Sequence, residues 1–366
     1  MGHPILTTSS GAYPVKERLF FLDTLKAISI IAVVSYHSIF IPHSNYAENF
    51  SLIDTLFAPL RFCVPVLLTI SFLLSQRSLD RQPMLTGWQL LGKRFARLAI
   101  PTVFWVGIAA GLKLIKHDPL IDILHEILKG EIFMGAYYLL ILFQLTLIYI
   151  GFRRWLESSQ GLLLTIFIQC LVFVAIDALL VSQSNIPLVS ALREIDRPLV
   201  IYWFGYIALG VACYQMLPKI IKLSNQISIP LKVILLLIMA GLLIAEYGWL
   251  GQLTQHSIPP FDYGMLSCLL SVPIMILCFA SLKESHFSPL LKTAILVLSK
   301  YSLGIFCING ILSQIFLSIG SHWVKGTAFS FSEVLMLKLI SWGVLLGISL
   351  ATAMALSRIG LKTVVS

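Results

Sequence analysis

The chain has 366 residues, of which 58% are hydrophobic and only 12% are charged, with a mean hydropathy of +0.90. Soluble domains carry roughly 25% charged residues, so this composition excludes a soluble protein and indicates an integral membrane protein. The net charge of +9 could suggest nucleic-acid binding, but basic residues in a polytopic protein normally record topology, and we expect no nucleic-acid partner.

The first apolar stretch, Phe21–His37, contains three groups that can carry charge: Asp23, Lys26 and His37. A stretch of this kind can cross a bilayer as a helix, and charged groups inside it are costly unless they face the protein interior. Eleven residues make about three helical turns, so Lys26 and His37 lie on one stripe, roughly 16 Å apart. Asp23 lies one turn from Lys26. The preceding residues contain no apolar run typical of a cleaved signal peptide.

Hydropathy predicts an all-α, polytopic fold with about ten transmembrane helices. The chain is predicted to form a single membrane-embedded domain over 1–366, with an N-terminal segment 1–19, a bundle 20–357 and a tail 358–366. The predicted spans are 20–41, 55–76, 97–115, 134–152, 161–182, 199–217, 231–249, 264–282, 294–319 and 333–357.

The distribution of basic residues predicts the orientation. With the N-terminus in the cytoplasm, the inner segments hold 15 Lys and Arg residues and the outer segments hold 6. Because cytoplasmic loops are enriched in Lys and Arg, this difference favours two cytoplasmic termini. His37 is then near the outer end of its helix and Lys26 toward the inner end.

The predicted outer link 113–135 carries apolar residues at a helical spacing. That spacing predicts a short amphipathic helix on the outer surface or over a cavity. Its apolar residues are Leu120, Ile123, Leu124, Ile127 and Leu128.

Neither the histidines nor the cysteines predict a metal site. The six cysteines lie in apolar runs without a CxxC pair, and the outer histidines lack the HExxH spacing of a zinc site. We therefore expect no metal and no permanently bound cofactor. The outer histidines besides His37 are His43, His117, His125, His256 and His322.

The first span resembles the opening of the acyltransferase 3 family of membrane acyltransferases. The family signature places a Leu-Asp pair before an Arg, ten residues and a His. Here Leu22, Asp23 and His37 match, and Lys26 stands in place of the usual Arg.

Four later segments also resemble the family, in the same order. Arg61–Ser75 resembles the second span, with Phe72 in place of a Gly, and Lys93–Pro101 resembles an Arg-x-x-Arg entry to the third. Tyr137–Leu145 is similar to the aromatic fourth span. Leu298–Gly310 resembles a segment that ends in Tyr-Leu-x-His, with Asn309 in place of that His. The residues that match are Arg61, Val64, Pro65, Ile70, Ser71, Arg94, Arg97, Tyr301, Ser302, Leu303 and Gly304.

The resemblance implies an acyl-CoA-dependent O-acyltransferase in a cell membrane, such as a bacterial inner or plasma membrane. The donor is a cytoplasmic acyl-CoA, with acetyl-CoA expected, and the acceptor is a hydroxyl of an outward-facing or lipid-linked carbohydrate. Membrane lipid and this glycan are the expected partners. A multi-pass O-acetyltransferase of this kind would take part in polysaccharide modification.

The catalytic candidates are His37, Lys26 and Asp23. A histidine with an ordinary pKa near 6.5 can deprotonate an attacking hydroxyl, and a covalent acyl-histidine is the alternative. Lys26 and Asp23 form a buried i,i+3 ion pair, contact CoA, or do both. Because the donor is cytoplasmic and His37 is expected near the outer face of the membrane, direct transfer requires one cavity that is open from both sides.

The basic residues Arg94, Arg97 and Lys93 suit the phosphates of CoA, because a guanidinium fork matches phosphate oxygens. Topology signalling or contact with anionic lipid is the alternative.

Six further residues are candidates for substrate or supporting roles. Arg61 either snorkels to the surface or pairs with an acid, for which Asp54, Asp177 and Glu246 are candidates. Small or polar residues such as Ser71 and Asn309 also serve helix packing, and tyrosines also form interfacial belts. The full set is Arg61, Ser71, Tyr137, Tyr138, Tyr301 and Asn309.

Two other functions fit the same residues. A polysaccharide or lipid-linked glycan transporter would also need charged groups at mid-membrane. A catalytically degenerate member would explain the departures at Lys26, Phe72 and Asn309.

Overall fold

The computed structural model describes residues 18–81, 87–182, 187–195, 197–254, 263–324 and 326–366. Within these ranges the chain forms α-helices and short 3-10 turns and no strand, which confirms the all-α prediction. Most of the N-terminal segment 1–19 and His256 lie outside the described residues. The helices are α1 (Phe20–Tyr36), α2 (Ala47–Phe57), α3 (Cys63–Asp80), α4 (Gly87–Ile115), α5 (Leu120–Lys129), α6 (Tyr137–Gly151), α7 (Arg153–Glu157), α8 (Ser159–Val181), α9 (Pro187–Ile195), α10 (Phe204–Gln215), α11 (Leu217–Gln226), α12 (Ile229–Leu253), α13 (Leu266–Phe279), α14 (Pro289–Lys300), α15 (Ser302–Trp323) and α16 (Phe331–Arg358).

The outer helices expose apolar side chains, as a lipid environment requires. Phe167 in α8, Leu237 in α12 and Ile340 in α16 are all exposed. Among the described residues, six helical segments are long and apolar enough to cross a membrane, and α10 with α11, bent by 75°, would make a seventh. This confirms a polytopic membrane fold, while the count of ten and the side of the termini stay predictions. The six segments are Ala47–Asp80, Gly92–Ile115, Ser159–Val181, Ile229–Leu253, Ser302–Trp323 and Phe331–Arg358.

Several predicted spans correspond to shorter or broken helices in the interior. The helices α1, α6 and α13 have 17, 15 and 14 residues, and the predicted span 294–319 is divided between α14 and α15 at Tyr301. At 1.5 Å per residue, α1 is about 26 Å long, a little less than a hydrocarbon core of about 30 Å. Its helical structure ends at Tyr36, so His37 is the first residue beyond it.

Helix α1 lies at the centre of the bundle and packs against α3, α13, α14, α15 and α16. Helix α16 bonds directly to its backbone. Trp342 donates from Nε1 to the carbonyl of Ile31 (2.8 Å), and Lys338 donates from Nζ to the carbonyl of Ser35 (2.6 Å). These bonds hold the half of α1 that leads to His37.

The predicted amphipathic helix is present as α5. Ile123 is its buried apolar residue, whereas Leu120, Leu124 and Leu128 are exposed. The helix ends at Gly130, which has a left-handed backbone with φ of +68°. The chain then turns back through 130–136 to reach the buried end of α1.

Candidate functional site

Two of the cavities beside α1 are lined by candidate residues, and their chemistry differs. We call the first the His37 cavity and the second the Lys26 cavity. The His37 cavity, of about 480 Å³, is lined by His37, Asp54, Arg61, Tyr137, Arg197, Tyr263 and neighbouring residues. The Lys26 cavity, of about 730 Å³, is lined by Lys26, Ser71, Lys93, Arg94, Arg97, Tyr138 and neighbouring residues.

Asn309 fixes the orientation and tautomer of the His37 ring. The Nδ2 of Asn309 donates to the carbonyls of Ile305 (2.7 Å) and Phe306 (2.8 Å), one turn earlier in α15. Its Oδ1 therefore faces Nδ1 of His37, with which it forms a hydrogen bond. Because an amide oxygen only accepts, Nδ1 carries the proton and Nε2 of the neutral ring keeps its lone pair. The imidazole is thus prepared to accept a proton at Nε2.

Two glycines let the loop 130–136 lie close to this ring. Gly135 has φ of +87°, and a Cβ there would lie 3.3 Å from Cε1 of His37 and 2.9 Å from Cζ of Phe306. A Cβ on Gly310 would lie 2.2 Å from the carbonyl oxygen of Met134. Side chains at these positions would force the loop away from α15 and from the imidazole.

In the Lys26 cavity, Ser71 positions Arg94. Nη2 of Arg94 donates to the carbonyl of Ser71 (3.0 Å), and the guanidinium lies 5.7 Å from the ring centre of Phe72. Nη1 of Arg94 is buried and has no hydrogen-bond partner among the described residues. Lys93 and Arg97 are exposed and line the same cavity. The cavity therefore combines one anchored guanidinium with exposed cations, a set suited to phosphate oxygens.

The model of the acyltransferase 3 family, described as an acyltransferase domain, matches residues 19–358. The chain belongs to the acyltransferase 3 family. The match extends from the start of α1 to the end of α16 and includes both cavities. The family establishes a membrane acyltransferase in general terms. No curated protein and no solved structure matches the chain.

Within this acyltransferase, Asp23 and Lys26 do not form the ion pair that their spacing suggested. Oδ2 of Asp23 accepts from Nε of Arg18 (2.7 Å) and Oδ1 accepts from Oγ of Ser299 (2.6 Å). The hydrogen bond to Asp23 raises the pKa of Arg18. Of the alternatives for these two residues, the ion pair is not formed, because α14 packs against α1 and presents Ser299 to the carboxylate, while Lys26 faces the cavity.

Of the three acids considered for Arg61, the structure selects Asp54. Nη2 of Arg61 lies 2.9 Å from Oδ2 of Asp54, and the Arg61 side chain is 2% exposed. The ring centres of Tyr247 and Tyr36 lie 4.3 Å and 5.3 Å from its Cζ. The hydroxyl of Tyr247 also donates to Asp54. Three members of this cluster, Arg61, Asp54 and Tyr36, line the His37 cavity.

The single cavity expected from the sequence is instead two cavities, and an aromatic pair lies between them. Tyr137 lines the His37 cavity, whereas the next residue, Tyr138, lines the Lys26 cavity. The ring of Tyr138 packs on Phe306 with 5.0 Å between centres, and Phe306 also borders Gly135 beside His37. Adjacent residues of a helix point about 100° apart, so the start of α6 contributes to both cavities and to the partition.

The remaining candidate, Tyr301, lines neither cavity. Its hydroxyl accepts from Nζ of Lys300 (3.1 Å) at the break between α14 and α15. Two cations that the sequence analysis did not select lie at the site instead. Arg197 lies over the rings of Tyr137 and Tyr263 at 5.7 Å and 5.8 Å. Lys338 is buried in α16; a lysine within an apolar span is itself the signal that could have identified it.

Proposed function

We propose that the protein is an O-acyltransferase that moves an acyl group, with acetyl expected, from cytoplasmic acyl-CoA to a hydroxyl of an outward-facing or lipid-linked carbohydrate. The observation that supports this most is the pair of cavities along α1. One contains an imidazole with a defined tautomer and the other contains four cations.

The Lys26 cavity is the proposed donor site. The phosphates of CoA would bind Arg94, Arg97 and Lys93, since charge-assisted hydrogen bonds to phosphate are among the strongest in proteins. The buried Nη1 of Arg94 offers a donor that the described residues leave unused. The thioester arm would then extend past the partition of Tyr138 and Phe306 toward His37, with Lys26 along its route.

The His37 cavity is the proposed acceptor site. Nε2 of His37 takes the proton from the acceptor hydroxyl as its oxygen attacks the carbonyl carbon of the thioester. The carbon–sulfur bond then breaks, and the departing thiolate takes the proton from the imidazolium. Asn309 Oδ1 accepts from Nδ1–H throughout and favours the imidazolium that forms between the two proton transfers.

Transport is the second candidate, because two cavities separated by one aromatic pair also fit alternating access. The two functions predict different products. An acyltransferase forms an ester and releases CoA, whereas a transporter moves a glycan without consuming acyl-CoA.

The test uses membranes from cells that express the wild type, His37→Ala or His322→Ala, incubated with acetyl-CoA labelled in the acetyl group. His322 is an exposed histidine whose ring bonds its own helix at Ser318, so it is a matched control. We expect alkali-labile label in the glycan fraction for the wild type and His322→Ala, and none for His37→Ala. Ester formation by well-expressed His37→Ala would overturn the proposal. A lack of ester in every sample, including the wild type, would overturn it as well.

A further inference from the structure

A small chamber of about 240 Å³ adjoins the His37 cavity. Tyr36, Phe50, Asp54 and Met134 line both spaces, so the chamber and the cavity are direct neighbours. With a share of about 30 Å³ per water, the chamber has room for a carboxylate or a phosphate group. Lys338 lies in its wall, and we call it the Lys338 chamber.

The charge of Lys338 is incompletely compensated. Its side chain is 3% exposed, and Nζ donates one hydrogen bond, to the carbonyl of Ser35, and lies 4.4 Å from the ring centre of Phe57. Within the described part of the chain, no carboxylate forms an ion pair with it. Asp54, which lines the same chamber, is already bonded by Arg61 and Tyr247.

An ammonium has three donors, and the described residues use one of those of Lys338. A buried cation without a paired anion is costly in a membrane interior and points to a functional site. The aromatic walls of the chamber, which include Tyr46, Phe50 and Phe57, lower the local dielectric and so strengthen attraction between Lys338 and an entering anion.

We propose that the Lys338 chamber is a subsite for an anionic oxygen group, a carboxylate or a phosphate, on the carbohydrate acceptor. The inference rests on the proposed function in one respect, namely that the acceptor occupies the His37 cavity. The hydroxyl to be acylated would then lie at His37 while the charged substituent reaches Lys338, which selects acidic over neutral glycans.

The test measures thermal unfolding of the full-length protein in detergent with D-glucose, D-glucuronate, D-glucose 6-phosphate or inorganic phosphate, at equal ionic strength. We expect at least one charged sugar to raise the unfolding temperature by about 2 °C at saturating concentration, with no shift for glucose. Lys338→Met should lower the affinity for that sugar at least about tenfold, since a charge-assisted hydrogen bond is lost. Lys338→Arg should keep the shift.

Lys232→Met is the matched control, because Lys232 bonds Ser224 and Ser281 away from both cavities. It should keep the shift. A larger shift with glucuronate assigns a carboxylate, and a larger shift with the phosphosugar assigns a phosphate. Four results would each overturn the subsite. Glucose could raise the unfolding temperature as much as the charged sugars do, or neither charged sugar could raise it. The shift could be retained in Lys338→Met, or inorganic phosphate alone could produce the same shift.

The two proposals can fail separately. His37→Ala should keep the charged-sugar shift while it loses transfer, because binding at Lys338 does not need the base. A shift without any transfer by the wild type would contradict the acyltransferase mechanism alone. Transfer without a preference for charged sugars in the binding assay would contradict the subsite alone.

Discussion

Replacing Asn309 with Leu tests whether this side chain sets the tautomer of His37. The substitution keeps a side chain of similar size but removes the acceptor of the Nδ1–H bond and leaves that buried donor unpaired. A buried unsatisfied donor costs about 1–3 kcal/mol. If the transition state bears this cost, kcat falls by about 5-fold to 150-fold, since 1.36 kcal/mol corresponds to a factor of ten.

The assay follows release of the CoA thiol from acetyl-CoA and gives kcat and KM separately. We expect kcat to fall while KM for acetyl-CoA stays unchanged, because Arg94 lies across the partition of Tyr138 and Phe306. Ser313→Ala is the control, since Ser313 is buried one turn further along α15 and bonds the backbone carbonyl of Asn309, not its side chain. Unchanged kcat in Asn309→Leu, or an equal loss in Ser313→Ala, would refute the role of Asn309.

Three further substitutions test the donor site, the partition and the buried ion pair. Arg94→Gln should raise KM for acetyl-CoA at least about tenfold, because it removes the charge-assisted bond that we propose to a CoA phosphate, and initial rates at varied donor concentration measure this. Phe306→Leu should raise the ratio of acetyl-CoA hydrolysis to transfer, because a smaller side chain packs less closely on Tyr138 and admits water; product analysis of labelled acetate against ester measures it. Asp54→Asn should destabilise the fold by about 3–5 kcal/mol, because Arg61 loses its buried anion, and a lower unfolding temperature would report it.

Matched variants make each result specific. Arg358→Gln, Phe167→Ala and Asp122→Asn change the same residue types at exposed positions away from both cavities. A KM increase in Arg358→Gln equal to that in Arg94→Gln would remove the donor assignment. An equal ratio of hydrolysis to transfer in Phe306→Leu and the wild type would contradict the role of Phe306 as a partition. Equal unfolding temperatures of Asp54→Asn and Asp122→Asn would show that the ion pair adds no stability.

The sequence was informative where local spacing determines the structure. The helix predicted from Asp23 through Lys26 toward His37 is present, because α1 is helical as far as Tyr36. The Arg-x-x-Arg spacing placed Arg94 and Arg97 one turn apart on α4, and both line the Lys26 cavity. The amphipathic pattern of 120–128 likewise identified α5.

Contacts between distant segments could not be predicted in the same way. The bond from Lys338 to Ser35 joins residues about 300 positions apart, and no periodicity in either segment encodes it. Asp23 pairs with Arg18 and Ser299 rather than Lys26 because the packing of α14 decides its partner. The two cavities replace the expected single one because Tyr138 meets Phe306 of α15, a contact that depends on the tertiary fold.

The most direct measurement places labelled acetyl-CoA on one side only of sealed membrane vesicles that contain the protein. With the donor on the cytoplasmic side, we predict alkali-labile acetyl label on glycans for the wild type and none for His37→Ala. With the donor on the opposite side of intact vesicles, we predict no label. Equal labelling from both sides, or labelling by His37→Ala, would contradict a reaction in which the donor enters through the Lys26 cavity and the acceptor meets the base at His37.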